Sequence, residues 1–102
     1  MSAARIETSG AGRYRVSGEL TFATVRDVLR TSQAQFAKQA AVEIDLAAVS
    51  AADSAGLALL IEWYREAAHA KKSLRFVGVP KQLQALAKIS EIEWLVANEA
   101  VA

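Results

Sequence analysis

The residues best placed to do chemistry are Asp53, Ser54, Ala55 and Gly56, a carboxylate and a hydroxyl followed by two small residues. A serine hydroxyl becomes a nucleophile beside a base that accepts its proton, and histidine is the usual base. The chain has one histidine, His69, and no cysteine. We therefore expect no catalytic residues and no enzyme activity, and we interpret the four residues as a structural or partner-binding site.

Composition excludes several other kinds of site. The absence of cysteine excludes a disulfide framework, an iron–sulfur cluster and a cysteine zinc site. Lys and Arg number 12 and Asp and Glu number 11, so the net charge of +1 creates no field that would hold nucleic acid or an anionic membrane surface. The sequence has no glycine-rich phosphate loop, so we do not expect this chain to hydrolyse ATP. We expect no cofactor, no metal and no nucleic-acid partner.

Hydropathy predicts a domain that does not insert into a membrane. The N-terminal residues lack the apolar segment of a signal peptide. The longest apolar run, residues 57–61, is far shorter than the roughly 20 residues that span a bilayer. With 102 residues, 53% of them hydrophobic, the chain can bury one core. We therefore expect a single cytoplasmic domain over residues 1–102, with a core of about residues 5–96 and frayed ends.

The elements that must position the candidate site are an alternation of strands and helices. Strands are predicted for residues 5–8, 13–17, 42–46 and 74–77, helices for 22–38, 54–70 and 81–90, and a short last element for 92–96. Gly18 is predicted to end the second strand, and residues 47–53 are predicted to form a loop. Strand–helix–strand units imply parallel neighbours. The predicted fold class is α/β, a small mixed sheet of four to five strands with an N-terminal hairpin and helices packed on it. One sheet face is expected to be thinly covered, because three helices are few.

The helix of residues 54–70 carries an apolar residue away from its predicted buried face. At about 100° per residue, Leu59 lies about 200° from Leu57, which belongs to the buried arc. Leu59 shares its arc with Ala55 and Glu62, and Trp63 lies at the border of that arc. This placement predicts an exposed patch beside Ser54 that a partner could cover.

The start of this helix also has a purely structural interpretation. The Ser54 hydroxyl is expected to cap the helix by accepting a backbone N–H, and the charge of Asp53 is favourable near the positive helix end. Gly56 is expected to allow a close approach, either of the helix to the sheet or of the helix to a partner. Both interpretations remain open at this point.

The segment of residues 42–61 resembles the signature of the STAS domain family, in which Asp-Ser/Thr-x-Gly joins a central strand to a helix. Asp53, Ser54 and Gly56 occupy those positions. The likeness covers about residues 5–95 and implies the STAS fold. A narrower similarity, to the MlaB-type STAS subunits of Mla phospholipid-transport ABC complexes, lies in residues 18–25, 53–60 and 80–90.

The MlaB-type resemblance implies a subunit that does no chemistry of its own. Such a subunit would bind the ATPase subunit and, through it, the permease, and would support ATPase assembly and activity. It would lie at the inner face of the inner membrane through its complex, without direct insertion. The process that it would serve is the maintenance of outer-membrane lipid asymmetry. The implied partner-binding or regulatory residues are Asp53, Ser54, Ala55, Gly56, Leu59, Glu62 and Trp63.

The alternative within the same family is an anti-anti-sigma factor. Such antagonists bind an anti-sigma serine kinase and are switched by phosphorylation of the serine at the position of Ser54. A phosphate would add about −1.5 to −2 charges beside Asp53. In antagonists the position of Thr21 is more often Asp and that of Ala55 is often Ser, and these departures favour the transporter interpretation.

Overall fold

The computed structural model describes residues 3–97. Of the ends expected to fray, before Arg5 and after Val96, residues 1–2 and 98–102 lie outside that range. The elements follow one another in the predicted order. They are β1 (Arg5–Gly10), β2 (Arg13–Leu20), α1 (Val25–Phe36), β3 (Ala41–Ala52), α2 (Ser54–His69), β4 (Ser73–Val77), α3 (Lys81–Ile89) and a 3₁₀ helix (Glu93–Val96).

The four strands form one mixed sheet in the order β1-β2-β3-β4. The hairpin pairs β1 with β2 antiparallel, and β3 lies parallel to both β2 and β4. Because β2 and β3 run in the same direction, their carboxyl ends meet at one edge of the sheet. The register pairs Leu20 with Ala52 at that edge. The predicted fold class, with its N-terminal hairpin and parallel central strands, is confirmed.

One face of the sheet carries the core and the other is open. Side chains alternate along each strand, and the buried set includes Tyr14, Ile44 and Phe76 from three neighbouring strands. On the opposite face Arg15 and Asp45 form an ion pair across β2 and β3, with 3.8 Å between Nε and Oδ2. The helices cover the apolar face. The expectation that one face is thinly covered is confirmed.

Two sequence predictions about the central strands are wrong. β2 continues through Gly18, which adopts φ +89° between two irregularities in the pairing with β3. Glycine adopts this backbone conformation readily, so the residue shifts the register of the strand without ending it. β3 likewise continues through the segment predicted as a loop, because residues 47–52 pair with the extended β2.

The first helix begins later than predicted, at Val25. The Thr24 hydroxyl donates to the Glu19 carbonyl, 2.7 Å away, and accepts the Thr21 N–H at 3.0 Å. These bonds hold residues 21–24 as a turn that connects β2 to α1. Phe22 therefore lies in a turn at the carboxyl edge of the sheet and not in the helix.

Candidate functional site

Asp53 and Ser54 lie where β3 passes directly into α2. The backbone N–H of Asp53 donates to the Leu20 carbonyl at the end of β2, at 3.2 Å. On the other side, the N–H of Ala52 donates to the side-chain carbonyl of Gln82 on α3, at 3.0 Å. Hydrogen bonds from both flanks therefore hold the end of the strand that presents the candidate site.

The residue that caps α2 is Asp53 and not Ser54. Asp53 has extended backbone angles, and its Oδ1 accepts the N–H of Ala55 at 2.8 Å, the usual geometry of an N-cap residue. Ser54 is the first helical residue and is exposed. The prediction of a Ser54 cap is wrong, because the Asp53 carboxylate already accepts the backbone N–H of Ala55. No hydrogen bond within residues 3–97 uses the Ser54 hydroxyl, which is available to a partner.

Gly56 brings α2 close to the strand ends. A Cβ atom at this position would lie 3.0 Å from the Leu20 carbonyl oxygen and 3.2 Å from the Ala52 Cβ. Such contacts are tight, so glycine is what permits this spacing between helix and sheet. Of the two roles expected for Gly56, the structure supports the approach to the sheet, and the residue itself is buried.

The structure corrects the predicted exposure of Leu59 and Trp63. Leu59 is 3% exposed and Trp63 is 2% exposed, so neither contributes to a surface patch. α1 packs along this side of α2, and Val25 and Leu29 line the same groove as Leu59. A helix that contacts both a sheet and a neighbouring helix buries a wider arc than one that contacts the sheet alone. The hydrophobic periodicity of α2 does not show that a second helix also packs against it.

Trp63 packs in the half of the α1–α2 contact that lies farther from Ser54, which we call the far half. Its indole Nε1–H donates to the buried Ser32 hydroxyl oxygen at 2.8 Å, and its ring centroid lies 6.1 Å from that of Phe36. About one helical turn farther toward the carboxyl end of α2, the side-chain amide of Gln33 on α1 donates to the Glu66 carboxylate at 2.7 Å. These contacts leave Trp63 in the core, where its role is packing.

The near half of the same contact is an open depression, which we call the α1–α2 groove. Phe22, Ala23, Val25, Arg26, Asp27, Leu29, Ala55, Ala58, Leu59 and Glu62 line it. Phe22 stands at this groove with 91% of its surface exposed, the largest value among the bulky apolar residues of the described chain. Ala58 is exposed, and Ala55 and Glu62 are half-buried. The groove therefore offers small apolar residues and one protruding aromatic ring, and Ala55 in its lining directly follows Ser54 in the chain.

Phe22 is the surface residue that sequence reasoning missed. The predicted helix of residues 22–38 included it as an ordinary helical residue. The available signal was Thr24, because threonine is a favourable N-cap residue and a helix that begins after Thr24 leaves Phe22 in the preceding loop.

The groove offers a surface for non-covalent contacts. Charges around the groove are of both signs, and Glu62 pairs with Arg65 at 3.0 Å while Asp27 pairs with Arg30 at 3.7 Å. Among residues 3–97, no group of three or more His, Asp or Glu side chains is arranged to hold a metal ion. No helix in the described part of the chain is long and apolar enough to cross a bilayer.

Solved structures similar to this chain share its fold at low sequence identity. The anti-sigma factor antagonist SpoIIAA in its unphosphorylated form matches with a TM-score of 0.72 and 13% identity, over 92% of this chain and 85% of SpoIIAA. The phosphorylated form of SpoIIAA, described as a Bacillus cell fate determinant, matches with a TM-score of 0.68 and 13% identity, over 92% and 88% of the two chains. The murine anion transporter Slc26a9 matches with a TM-score of 0.61 and 19% identity, over 82% of this chain and 14% of the transporter.

Sequence comparison gives the family. No curated protein matches the chain. A family model described as "Mlab, STAS domain" matches residues 4–97, nearly the whole chain. The match agrees with the strand–helix order, with the motif residues at the β3–α2 junction and with the fold shared with SpoIIAA. The chain belongs to the MlaB-type STAS domain family.

Proposed function

We propose that this chain is a subunit, without enzymatic activity of its own, of an Mla-type ABC complex that transports phospholipids. It binds the ATPase subunit through the α1–α2 groove and the exposed start of α2. Membership of the MlaB-type family supports the class of complex. The observation that carries the location of the interface is Phe22, a bulky apolar side chain that is 91% exposed. It lines the same groove as Ala55, the residue that follows Ser54 in the chain.

Phe22 is suited to be the anchor of this interface. Burying an exposed phenylalanine side chain contributes roughly 1.5–3 kcal/mol of transfer free energy. Aromatic residues are enriched in interface cores, and the few residues that dominate binding lie near the interface centre. The small side chains of Ala55 and Ala58 allow a partner to approach the α2 backbone closely beside this ring.

Ser54 is proposed as a polar contact at the edge of the same interface. The Asp53 carboxylate performs the capping, so the hydroxyl can donate to and accept from a partner. A negative charge at Ser54 would stand beside Asp53 and would be left without water when a partner covered it. A buried charge without a partner is strongly unfavourable, so Ser54→Glu should weaken the complex.

The proposed effect on the ATPase follows from differential binding. A subunit that binds one arrangement of the ATPase better than another shifts the population toward the arrangement that it prefers. In this way a chain without nucleotide-binding residues supports assembly and activity. The lipid substrate would be handled by other subunits, and this chain would lie in the cytoplasm at the inner membrane through its complex, serving outer-membrane lipid asymmetry.

The test is to recover the partners of the tagged chain from detergent-solubilised cells and to identify them by mass spectrometry. The expected result is an ABC ATPase together with a permease, both strongly reduced for Ser54→Glu. The ATPase rate of the recovered complex should fall in parallel. Equal recovery and an equal ATPase rate for Ser54→Glu would contradict the assignment of Ser54 to the interface.

A second candidate function is that of an anti-anti-sigma factor switched at Ser54. The observation that favours it is the same exposed hydroxyl at the start of α2, a position where the helix dipole tolerates a phosphate. In that case the capture would recover a small serine kinase in place of the ABC subunits. Incubation with that kinase and ATP would then phosphorylate wild-type chain but not the Ser54→Ala variant.

A further inference from the structure

The last part of β3 extends beyond the strand that flanks it. β4 pairs with β3 only as far as Val77, which lies opposite Asp45. β3 continues to Ala52 with β2 alone as its strand neighbour. Backbone groups of successive residues in an extended chain point to opposite sides. Since the N–H of Asp53 donates toward β2 at Leu20, the N–H of Ala52 points to the side where β4 has already ended.

A side chain of α3 occupies the place of the missing strand. The side-chain carbonyl of Gln82 accepts the Ala52 N–H at 3.0 Å. Gln82 lies in the first turn of α3, and its neighbour Leu83 is fully buried in the core. The turn before α3 is closed separately by Gln84, whose amide donates to the Val79 carbonyl at 2.8 Å. α3 is therefore anchored independently of the bond that Gln82 makes to β3.

We infer that Gln82 is a positioning residue for the site formed by Asp53 and Ser54. Ala52 immediately precedes the cap residue, so the bond from Gln82 and the bond to Leu20 hold the backbone at the strand–helix junction from both sides. Removing the acceptor on the α3 side frees the junction to move. The Asp53 carboxylate then leaves the Ala55 N–H more often, and the start of α2 loses its fixed presentation. This role rests on the proposed function only where partner binding is concerned.

The test uses amide hydrogen exchange on the ¹⁵N-labelled full chain, read out at Ala52 and Ala55. Gln82→Leu, which removes the acceptor, should speed exchange at Ala52 about tenfold, a loss typical of one hydrogen bond. Exchange at Ala55 should rise by about threefold, as expected when a cap is loosened but not removed. Gln82→Glu keeps an acceptor oxygen and should stay within about twofold of wild type at both amides.

Two controls separate positioning from general loss of stability. Gln84→Leu removes a comparable bond on the same helix and should leave Ala52 unchanged. The amide of Ile44, in the middle of β3, should exchange at the wild-type rate in every variant. Unchanged Ala52 exchange in Gln82→Leu would overturn the inference, as would faster exchange at Ile44 in that variant, because the effect would then be global.

Partner capture tests the consequence for binding. If wild-type chain recovers the ABC ATPase, Gln82→Leu should recover about fivefold less and Gln82→Glu should restore recovery, as expected for the loss of one hydrogen bond. Equal recovery by Gln82→Leu, with Ala52 already shown to be freed, would also overturn the positioning role. If wild-type chain recovers no ATPase, the proposed function fails, and the exchange rates at Ala52 and Ala55 alone decide the inference.

Discussion

The two halves of the contact between α1 and α2 are built from the same pair of helices and differ in how they are packed. In the far half, Trp63 and Phe36 pack against each other between the helices, and the indole N–H is bonded to Ser32. In the near half, Ala55 and Ala58 leave a groove that stays open to solvent. Side-chain size along one helix therefore decides where the molecule buries its surface and where it leaves a groove open to solvent.

Along α2, the residues expected to stabilise the fold are therefore different from those expected to affect partner binding. A fully buried aromatic residue with a satisfied polar group contributes to folding and is not accessible to a partner. Small exposed residues contribute little to folding and can be covered without rearrangement. Substitutions in the far half should therefore change the free energy of unfolding. Substitutions at exposed positions of the near half should change partner binding alone.

The largest expected effect comes from Leu59→Asp, which places a charge in the buried floor of the groove. We expect a loss of more than about 4 kcal/mol in the free energy of unfolding and a largely unfolded chain. Ala58→Asp, one residue earlier and exposed, should stay within about 0.5 kcal/mol of wild type and lose partner recovery. Circular dichroism and urea denaturation measure the stability of both variants, and capture from detergent-solubilised cells measures their partner recovery. A stably folded Leu59→Asp variant would contradict the distinction between the buried floor of the groove at Leu59 and the exposed position of Ala58.

An intermediate effect on stability is expected from Ser32→Ala in the far half. The variant leaves the Trp63 N–H buried without its acceptor, which costs about 1–3 kcal/mol of unfolding free energy. The exposed neighbour provides a matched control, and Thr31→Ala should change stability by less than about 0.5 kcal/mol. Urea denaturation would contradict the account if the two variants were equally stable.

The smallest effects distinguish Asp53 from Ser54. Asp53→Ala removes the cap of α2 and should cost about 1 kcal/mol of unfolding free energy. Ser54→Ala should stay within about 0.5 kcal/mol of wild type, because its hydroxyl makes no bond in the described structure. Thermal or urea unfolding measures the difference. If Ser54→Ala were the more damaging change, Ser54 and not Asp53 would act as the cap.

Much of the fold could be predicted because alternation and helical periodicity survive in the sequence. The alternating burial of Tyr14 and Val16, and the apolar face of α2 around Leu57 and Leu60, follow from local pattern alone. The order of elements and the position of the site at a strand–helix junction follow in turn. The burial of Leu59 could not be predicted in this way, because it depends on the contact of α2 with the neighbouring helix α1.

The segments that could not be predicted are those in which tertiary contact overrides local preference. Residues 47–52 are mostly alanine and serine, which do not favour strands by themselves. They become a strand because β2 extends beside them through Gly18, with irregular pairing that no local pattern indicates. The choice of Asp53 over Ser54 as the cap has the same origin, since both residue types cap helices well and the end of β3 decides between them.

The most direct test of the central claim compares two exposed apolar residues of similar accessibility. Phe22, at the groove, is 91% exposed, and Ile89, at the end of α3, is 80% exposed. Each is replaced by aspartate, and recovery of the ABC ATPase by the tagged chain is measured, with urea denaturation confirming that both variants fold. The account predicts at least tenfold lower recovery for Phe22→Asp, in the range of about 1.5–3 kcal/mol for a lost aromatic anchor, and wild-type recovery for Ile89→Asp. Wild-type recovery by a folded Phe22→Asp variant would contradict it.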